Sequence, residues 1–324
     1  MTAGAKTTGP DHTHSIETPY GWAVLAVSLL LVVVGYGSTL LLLVSLKQIA
    51  VELDWPRSVP SLAYACNMIG IGLGGIPTDM VLMGLDPSTA RDRAAEALDV
   101  ILELWDHEDG PFTHHGEFFN IDAPELDPVT ERGLHMKPFQ RPHPPIALAA
   151  STPHSNSLRI AGARGWSPMS SSILSSTLLP GHWDTVLEGA NDAGKTPDRS
   201  QWRIARDVFV GPTPKIARER ARVTMGRNYD VHQRPSRIGT IQIQSCKLDP
   251  SMSDDDVDVD YLMENVWIVG DPSECADKIR ALHSATGGFG TLLTVTADSD
   301  DPSWDHESLR LLAEEVGPQI EDLH

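Results

Sequence analysis

An uncharged apolar run near the start of the chain sets the first constraint on its fold. Residues 21–46, GWAVLAVSLLLVVVGYGSTLLLLVSL, form a stretch of 26 residues without a charged side chain. A helix needs about 20 mainly apolar residues to cross the hydrocarbon core of a bilayer. A cleaved signal peptide or a buried core helix is the alternative, but no basic segment directly precedes the run. The run therefore predicts a membrane-spanning helix that follows a polar tail over residues 1–17.

A second and weaker apolar segment covers residues 58–80. Its only charge is Asp79, and it is rich in glycine, which lets membrane helices approach each other closely. With residues 47–57 as the loop, the two segments predict a transmembrane helical hairpin over residues 18–80. The glycines also match the dinucleotide-binding pattern G-x-G-x-x-G, but no segment of β-forming residues precedes them, which argues against a nucleotide site.

The stretch ELDWPRSVPSLAYACNMIGIGLGGI, which ends at Ile76, carries a family resemblance. Through it, residues 18–76 resemble the first two helices of a major facilitator superfamily transporter. A transporter of this kind builds its site from two repeats of membrane helices. No further uncharged run long enough to span a bilayer follows Met80. Counting therefore excludes a complete transporter and leaves a transporter fragment as one interpretation.

After residue 76 the chain changes to short apolar segments that alternate with amphipathic ones. The apolar segments predict strands at 145–150, 166–171, 202–210 and 291–296. The amphipathic segments predict helices at 88–105, 158–163, 179–193, 214–227, 272–283 and 306–320. Such alternation is typical of βαβ units, so the sequence predicts an α/β fold with a parallel sheet.

Six stretches from residue 77 onward carry a second resemblance. They read PTDMVLMGLDPSTARDRAAEALDVILELW, FTHHGEFFNI, LHMKPFQRPHPPIALAAS, AGARGWSPMS, DRSQWRIARDVFVGPT and GGFGTLLTV. In this order and at this spacing they are similar to the C-terminal part of the bacterial luciferase-like flavin-dependent monooxygenases. The resemblance implies a TIM-like barrel, reduced FMN supplied by a separate flavin reductase, dioxygen and a small organic substrate.

The barrel that this resemblance implies is incomplete. A TIM barrel has eight strands, and the sequence offers four good candidates. The glycine-rich GIGLGG can double as the end of the family's fourth strand, but no part of the chain matches the earlier strands. The expected fold class is therefore α/β, an incomplete TIM-like (β/α) barrel over residues 81–324 after the transmembrane hairpin.

The missing strands bear on activity. In the luciferase-like family they carry the active-site histidine region, so no catalytic residue can be named here and impaired oxidoreductase activity is expected. The alternative is a non-catalytic, membrane-anchored chimeric remnant.

Polar residues follow two neighbouring predicted strands and suggest a phosphate-binding site. Parallel strands meet at one edge, where a helix N-terminus offers unpaired N–H groups to an anion. The family resemblance places the flavin phosphate in this neighbourhood, which predicts cofactor binding by Ser151, Ser155, Asn156, Ser170 and Ser171. These residues are also ordinary helix caps and loop residues, and that interpretation stays open.

The charge balance narrows the choice of partners. The chain has 25 Lys and Arg against 44 Asp and Glu, a net charge of −19 that disfavours nucleic-acid binding. The acidic run that begins at Asp254 has Val259 and Asn265 where a calcium loop needs Gly and Glu, so it predicts a solvated loop and no metal site.

The apolar N-terminal segments predict membrane localisation, with the C-terminal domain in the cytoplasm.

Overall fold

The computed structural model describes residues 69–72, 77–107, 110–125, 127, 129, 138, 140–238 and 240–323. The chain divides into two units, residues 1–67 and 68–324, and the described residues belong to the second. The polar tail, the predicted span at 21–46 and most of the predicted span at 58–80 lie outside the described residues. For residues 1–68 the predicted division into tail and hairpin stays a prediction.

In the part of the chain that the structure describes, six parallel strands form one sheet, and two further strands form an antiparallel hairpin. The strands are β1 (Ile69–Ile71), β2 (Phe112–His115), β3 (Asn120–Ala123), β4 (Ile146–Ala150), β5 (Ser167–Ser170), β6 (Arg203–Val210), β7 (Ile268–Gly270) and β8 (Thr291–Val295). In the sheet β1 pairs with β4, β4 with β5, and β5 with β6. The long strand β6 also pairs with β7 near its end and with β8 near its start.

Helices follow the strands in the order expected of βα units. They are α1 (Pro77–Leu82), α2 (Ala90–Asp106), α3 (Asn156–Arg164), α4 (Leu179–Asp192), α5 (Pro214–Ala221), α6 (Arg234–Arg237), α7 (Ile241–Cys246), α8 (Val259–Asn265), α9 (Pro272–Thr286) and α10 (Pro302–Leu311). Two π-helical turns, Arg222–Gly226 and Tyr229–Gln233, continue α5 toward α6. The predicted strands and the main predicted helices are confirmed to within a few residues.

The second predicted membrane span is wrong in its described part. Ile69–Ile71 is a strand that pairs in parallel with Ile146–Leu148 of β4, and α1 covers Pro77–Leu82. The short Ile-Gly-Ile segment satisfies its backbone groups in the sheet, so Gly70 lies in a strand and not in a membrane helix. In the described part of the chain, no helix combines the length and apolarity needed to cross a bilayer. The helical hairpin is therefore without support.

Two polar segments are more ordered than loops. His114 and His115 lie on β2, where His114 Nε2 is 3.4 Å from a carboxylate oxygen of Glu96. The acidic run is also more ordered than a solvated loop, because Asp258 caps α8 through the backbone N–H of Tyr261. The buried ammonium of Lys247 contacts Asp254 at 2.7 Å.

Close backbone contact fixes α3 against α4 on one side of the sheet. A β-carbon on Gly189 would lie 1.9 Å from the carbonyl oxygen of Arg159, and one on Gly162 would lie 2.1 Å from that of Val186. Only glycine permits this approach without displacement of a backbone. The packing holds the first turn of α3 in place relative to β4.

Candidate functional site

The carboxyl ends of β4 and β5 lie side by side and lead into polar turns. Ala150 pairs with Ser170 at the ends of the two strands, and the backbone N–H of Ser171 donates to the carbonyl of Ala150 at 2.9 Å. Residues 151–155 then turn directly into α3. The structure thus brings together the two segments in which the sequence placed the phosphate site. This is the edge at which barrel enzymes of this type build their active sites.

The first turn of α3 is open to an incoming anion. Ser155 occupies the N-cap position with extended backbone angles, φ −64° and ψ 128°, yet its side chain does not cap the helix. By contrast, Asp258 and Asp271 cap α8 and α9 with their carboxylates. The N–H groups of Asn156 and Ser157 have no acceptor within the helix and carry its positive dipole end, whereas the N–H of Leu158 donates to the Ser155 carbonyl at 3.0 Å. Ser151 and Ser155 are half-buried beside them, and Asn156 is exposed.

Ser170 plays a different part from the other predicted residues. Its side chain is fully buried, and its hydroxyl lies 3.0 Å from His182 Nδ1 and 3.0 Å from Trp202 Nε1. His182 Nε2 in turn lies 3.0 Å from the carbonyl oxygen of Thr152 in the turn after β4. Ser170 is therefore part of a buried chain of hydrogen bonds that ends on that turn, and we name this chain the His182 network.

The hydrogen-bond directions of the His182 network follow from its end groups. A carbonyl only accepts and an indole N–H only donates, so His182 Nε2 carries a proton toward Thr152 and Trp202 donates to Ser170. The Ser170 hydroxyl then donates to the unprotonated Nδ1 of His182. Burial lowers the pKa of His182 to about 4, against the opposing effect of its bond to Thr152. The ring is thus neutral at physiological pH, as this arrangement requires.

Sequence reasoning missed His182, although a signal was present. The buried positions of α4 include Leu179, His182, Trp183, Val186 and Ala190. This spacing is that of one helix face, so periodicity alone places a histidine among core residues. Trp202, at the start of β6, is fully buried and stacked on Trp183 with ring centroids 5.5 Å apart.

The same edge of the sheet carries further polar groups. Asp207 of β6 has its pKa raised by burial, which a hydrogen bond from Ser172 opposes. A cavity of about 440 Å³ lies where the residues after β8 meet the π-helical turns, lined in part by Arg227, His232 and Thr296. Among the described residues no group of three or more acidic, histidine or cysteine side chains could hold a metal ion.

The chemistry of the turn fits a phosphate group. An uncapped helix start, two half-buried serine hydroxyls and the adjacent Ser171 supply several N–H and O–H donors at one place. Hydrogen bonds to a charged group contribute about 1.5–3 kcal/mol each, so a few such donors suffice to hold one. The direct ligand role of Ser151, Ser155, Asn156 and Ser171 remains a prediction from sequence.

Comparison with known proteins identifies relatives over most of the chain. A family model for luciferase-like monooxygenases matches residues 68–287. The chain is 30% identical over 301 residues to 3,6-diketocamphane 1,6-monooxygenase of Pseudomonas putida, covering 84% of this chain and 76% of that protein. It is 29% identical over 285 residues to 2,5-diketocamphane 1,2-monooxygenase 1 of the same species, with the same coverage.

Solved structures agree with this assignment. The oxygenating constituent of 3,6-diketocamphane monooxygenase, a type II Baeyer–Villiger monooxygenase solved in complex with FMN, superposes with a TM-score of 0.67 at 31% identity. The match covers 78% of this chain and 70% of that one. An F420-dependent secondary alcohol dehydrogenase shares the fold at 21% identity with a TM-score of 0.53. These relatives give no support to a transporter fragment or a chimeric remnant. The chain belongs to the luciferase-like monooxygenase family.

Proposed function

We propose that the chain is the oxygenating component of a two-component, FMN-dependent Baeyer–Villiger monooxygenase. In the overall reaction a ketone, dioxygen and reduced FMN give an ester or lactone, water and oxidised FMN. One oxygen atom enters a carbon–carbon bond beside the carbonyl, and the other leaves as water with the two hydrogens of the reduced flavin. The reduced FMN comes from a separate flavin reductase, and the ketone is a small organic molecule.

One observation carries the proposal. The relative solved in complex with FMN is the oxygenating constituent of its monooxygenase. Its match to the present protein covers 78% of this chain. The turn after β4 adds support from the chain itself, because it presents donors to a phosphate at the edge where the family builds its sites. FMN supplies the redox chemistry when bound, and the protein supplies position and exclusion of water.

The described residues act on the cofactor through position. The open first turn of α3 and the hydroxyls of Ser151 and Ser155 bind the phosphate, and the close packing of Gly162 and Gly189 holds α3 in place. The His182 network fixes the carbonyl of Thr152 and with it the path of the turn. Attachment to a membrane through residues 21–46, with the α/β unit on the cytoplasmic side, is a separate proposal that rests on the uncharged composition of that segment.

A turnover experiment with isotopic oxygen tests the reaction. The full chain is mixed with a flavin reductase, NADH, FMN and either 2,5- or 3,6-diketocamphane under ¹⁸O₂, and products are analysed by mass spectrometry. We expect a lactone that carries one ¹⁸O atom. The matched control omits the chain, because the reductase alone forms hydrogen peroxide and leaves the ketone intact.

The outcomes separate the parts of the proposal. A lactone without ¹⁸O would contradict oxygen insertion from dioxygen. Incorporation of ¹⁸O into an alkene or a thioether, with no ketone accepted, would contradict the Baeyer–Villiger assignment and retain the monooxygenase. Hydrogen peroxide as the only product with every substrate would overturn the proposed activity.

A further inference from the structure

A second site lies on the helix-facing side of the sheet. Side chains alternate between the two faces of a strand, and the neighbours of Arg206 on its own face, Ile204 and Val208, belong to the core clusters that contain Leu282 and Ile279 of α9. Arg206 therefore points toward the helices. It lines a cavity of about 260 Å³ whose wall is formed in part by α9 and by the segment before β7. None of the residues that line this cavity belongs to the turn after β4.

The charge of Arg206 is poorly compensated for so buried a group. Only 2% of the residue is exposed, and its guanidinium donates one hydrogen bond, from Nη1 to the carbonyl of Ala205 at 2.9 Å. Among the described residues no carboxylate forms an ion pair with it. Burial lowers the pKa of Arg206 to about 10, and the nearby Asp207 opposes that shift. A guanidinium has five N–H donors and keeps its charge, so most of its binding capacity faces the cavity unused.

The other walls show what kind of anion would fit. Trp267, Leu282 and Ala285 present apolar surface, while Lys278 adds a second positive charge. The ammonium of Lys278 already donates to the carbonyls of Met263 and Val269. It therefore contributes its positive electrostatic potential to the cavity more than a free N–H donor. The lining has one carboxylate, that of the exposed Glu264, and it offsets part of the charge of Lys278. Arginine matches the planar, bidentate geometry of a carboxylate better than any other side chain does.

We propose that this cavity binds a small organic carboxylate, with the carboxylate on Arg206 and the apolar body against Trp267, Leu282 and Ala285. Its lining shares no residue with the predicted flavin-phosphate site, so binding there can be measured without flavin. A ligand there neutralises a buried cation and covers apolar surface at the same time, and each contribution favours binding.

Binding of benzoate to the full chain without flavin tests the site, with calorimetry as the main readout and intrinsic fluorescence, to which all eight tryptophans contribute, as the second. We expect saturable binding of one benzoate, with the neutral isostere benzamide at least tenfold weaker. The Arg206→Met variant should bind benzoate at least tenfold more weakly and stay folded, because removal of a buried unpaired cation is often neutral or stabilising. Arg203→Met is the matched control, since Arg203 lies on the same strand and also donates to a carbonyl, that of Gln201 at 2.9 Å.

A second variant tests the same site if Arg206→Met fails to fold. Ala285 is exposed on α9 at the cavity wall, so Ala285→Phe should fill the cavity and abolish benzoate binding with Arg206 intact. Absence of benzoate binding, equal binding of benzamide, or unchanged binding by both variants would overturn the proposal. Inorganic phosphate that binds as tightly as benzoate would refute the role of the apolar walls. None of these outcomes depends on the flavin reaction.

Discussion

Replacement of Gly189 with alanine is expected to lower the free energy of unfolding by about 3 kcal/mol. The new β-carbon would lie 1.9 Å from the carbonyl oxygen of Arg159, so α3 and α4 would have to separate. Alanine is the better helix former by about 1 kcal/mol, but that gain is smaller than the cost of displacing a backbone. Denaturant unfolding of the purified chain, compared with the wild type, measures the difference.

The same helix provides a matched control, for which no loss of stability is expected. Gly181 also lies in α4, and a β-carbon there meets nothing within 4 Å. Gly181→Ala should therefore leave stability unchanged or raise it by up to about 1 kcal/mol. If Gly189→Ala is as stable as Gly181→Ala, then the two helices are not in the close contact described. Because α3 carries the phosphate-binding turn, the Gly189 variant should also bind FMN more weakly.

Replacement of His182 is expected to have the second large effect, on stability and on the turn after β4. His182→Phe removes the acceptor of the Ser170 hydroxyl, which keeps its bond from Trp202, and the donor to the carbonyl of the half-buried Thr152. A buried group that loses its partner costs about 1–3 kcal/mol, and because Ser170 keeps one bond and Thr152 is half-buried, the two losses together should reach only about 2–4 kcal/mol. Denaturant unfolding measures this loss, and anaerobic titration with reduced FMN measures the effect on the turn.

Two polar replacements distinguish positioning of the turn from general packing. Asparagine at position 182 can place an acceptor near Nδ1 and keep the bond to Ser170. Glutamine can place a donor near Nε2 and keep the bond to Thr152. If His182 positions the turn through Thr152, His182→Gln should retain more FMN affinity than His182→Asn. Equal FMN affinities in the two variants would make His182 a packing residue only.

The stability of the wild type should also depend on pH in a way that His182→Gln does not share. The pKa of His182 is about 4 in the folded chain against an ordinary value of 6.5, so the unfolded chain takes up the proton first. The associated stability is present above pH 6.5 and is lost as the pH falls toward 4, by about 3 kcal/mol in total. If the free energy of unfolding of His182→Gln fell between pH 6.5 and pH 4 as steeply as that of the wild type, His182 would not be a buried neutral histidine.

Much of the α/β unit could be predicted because its local signals agree with its packing. The β4 segment Ile146–Ala150 is apolar throughout, as a strand buried on both faces should be, and Gly287 ends α9 in the left-handed conformation. The GIGLGG segment shows the limit of such signals. Its small apolar residues suit a membrane helix as well as a strand, and for Gly70 and Ile71 it is pairing with β4, which lies far along the chain, that decides between them.

The position of the phosphate-binding site could be predicted from the sequence, but the role of each serine in it could not. Serines after two parallel strands indicate a phosphate site whatever their side chains contact, so sequence alone could not separate Ser170 from Ser171. That distinction depends on His182 and Trp202, which reach Ser170 from α4 and from the start of β6. Arg206 was equally hidden, because an arginine within an apolar strand does not reveal which face it occupies or whether a carboxylate pairs with it.

The most direct test of the account is the affinity of the chain for reduced FMN relative to reduced riboflavin, which lacks the phosphate, in anaerobic titration. We predict that reduced FMN binds more than tenfold tighter, since several charged hydrogen bonds are lost with the phosphate. Asn156→Pro should reduce this ratio several-fold, because proline is tolerated at the first helical position but has no N–H to donate. Equal affinity for the two flavins would contradict the phosphate-binding role of the turn after β4.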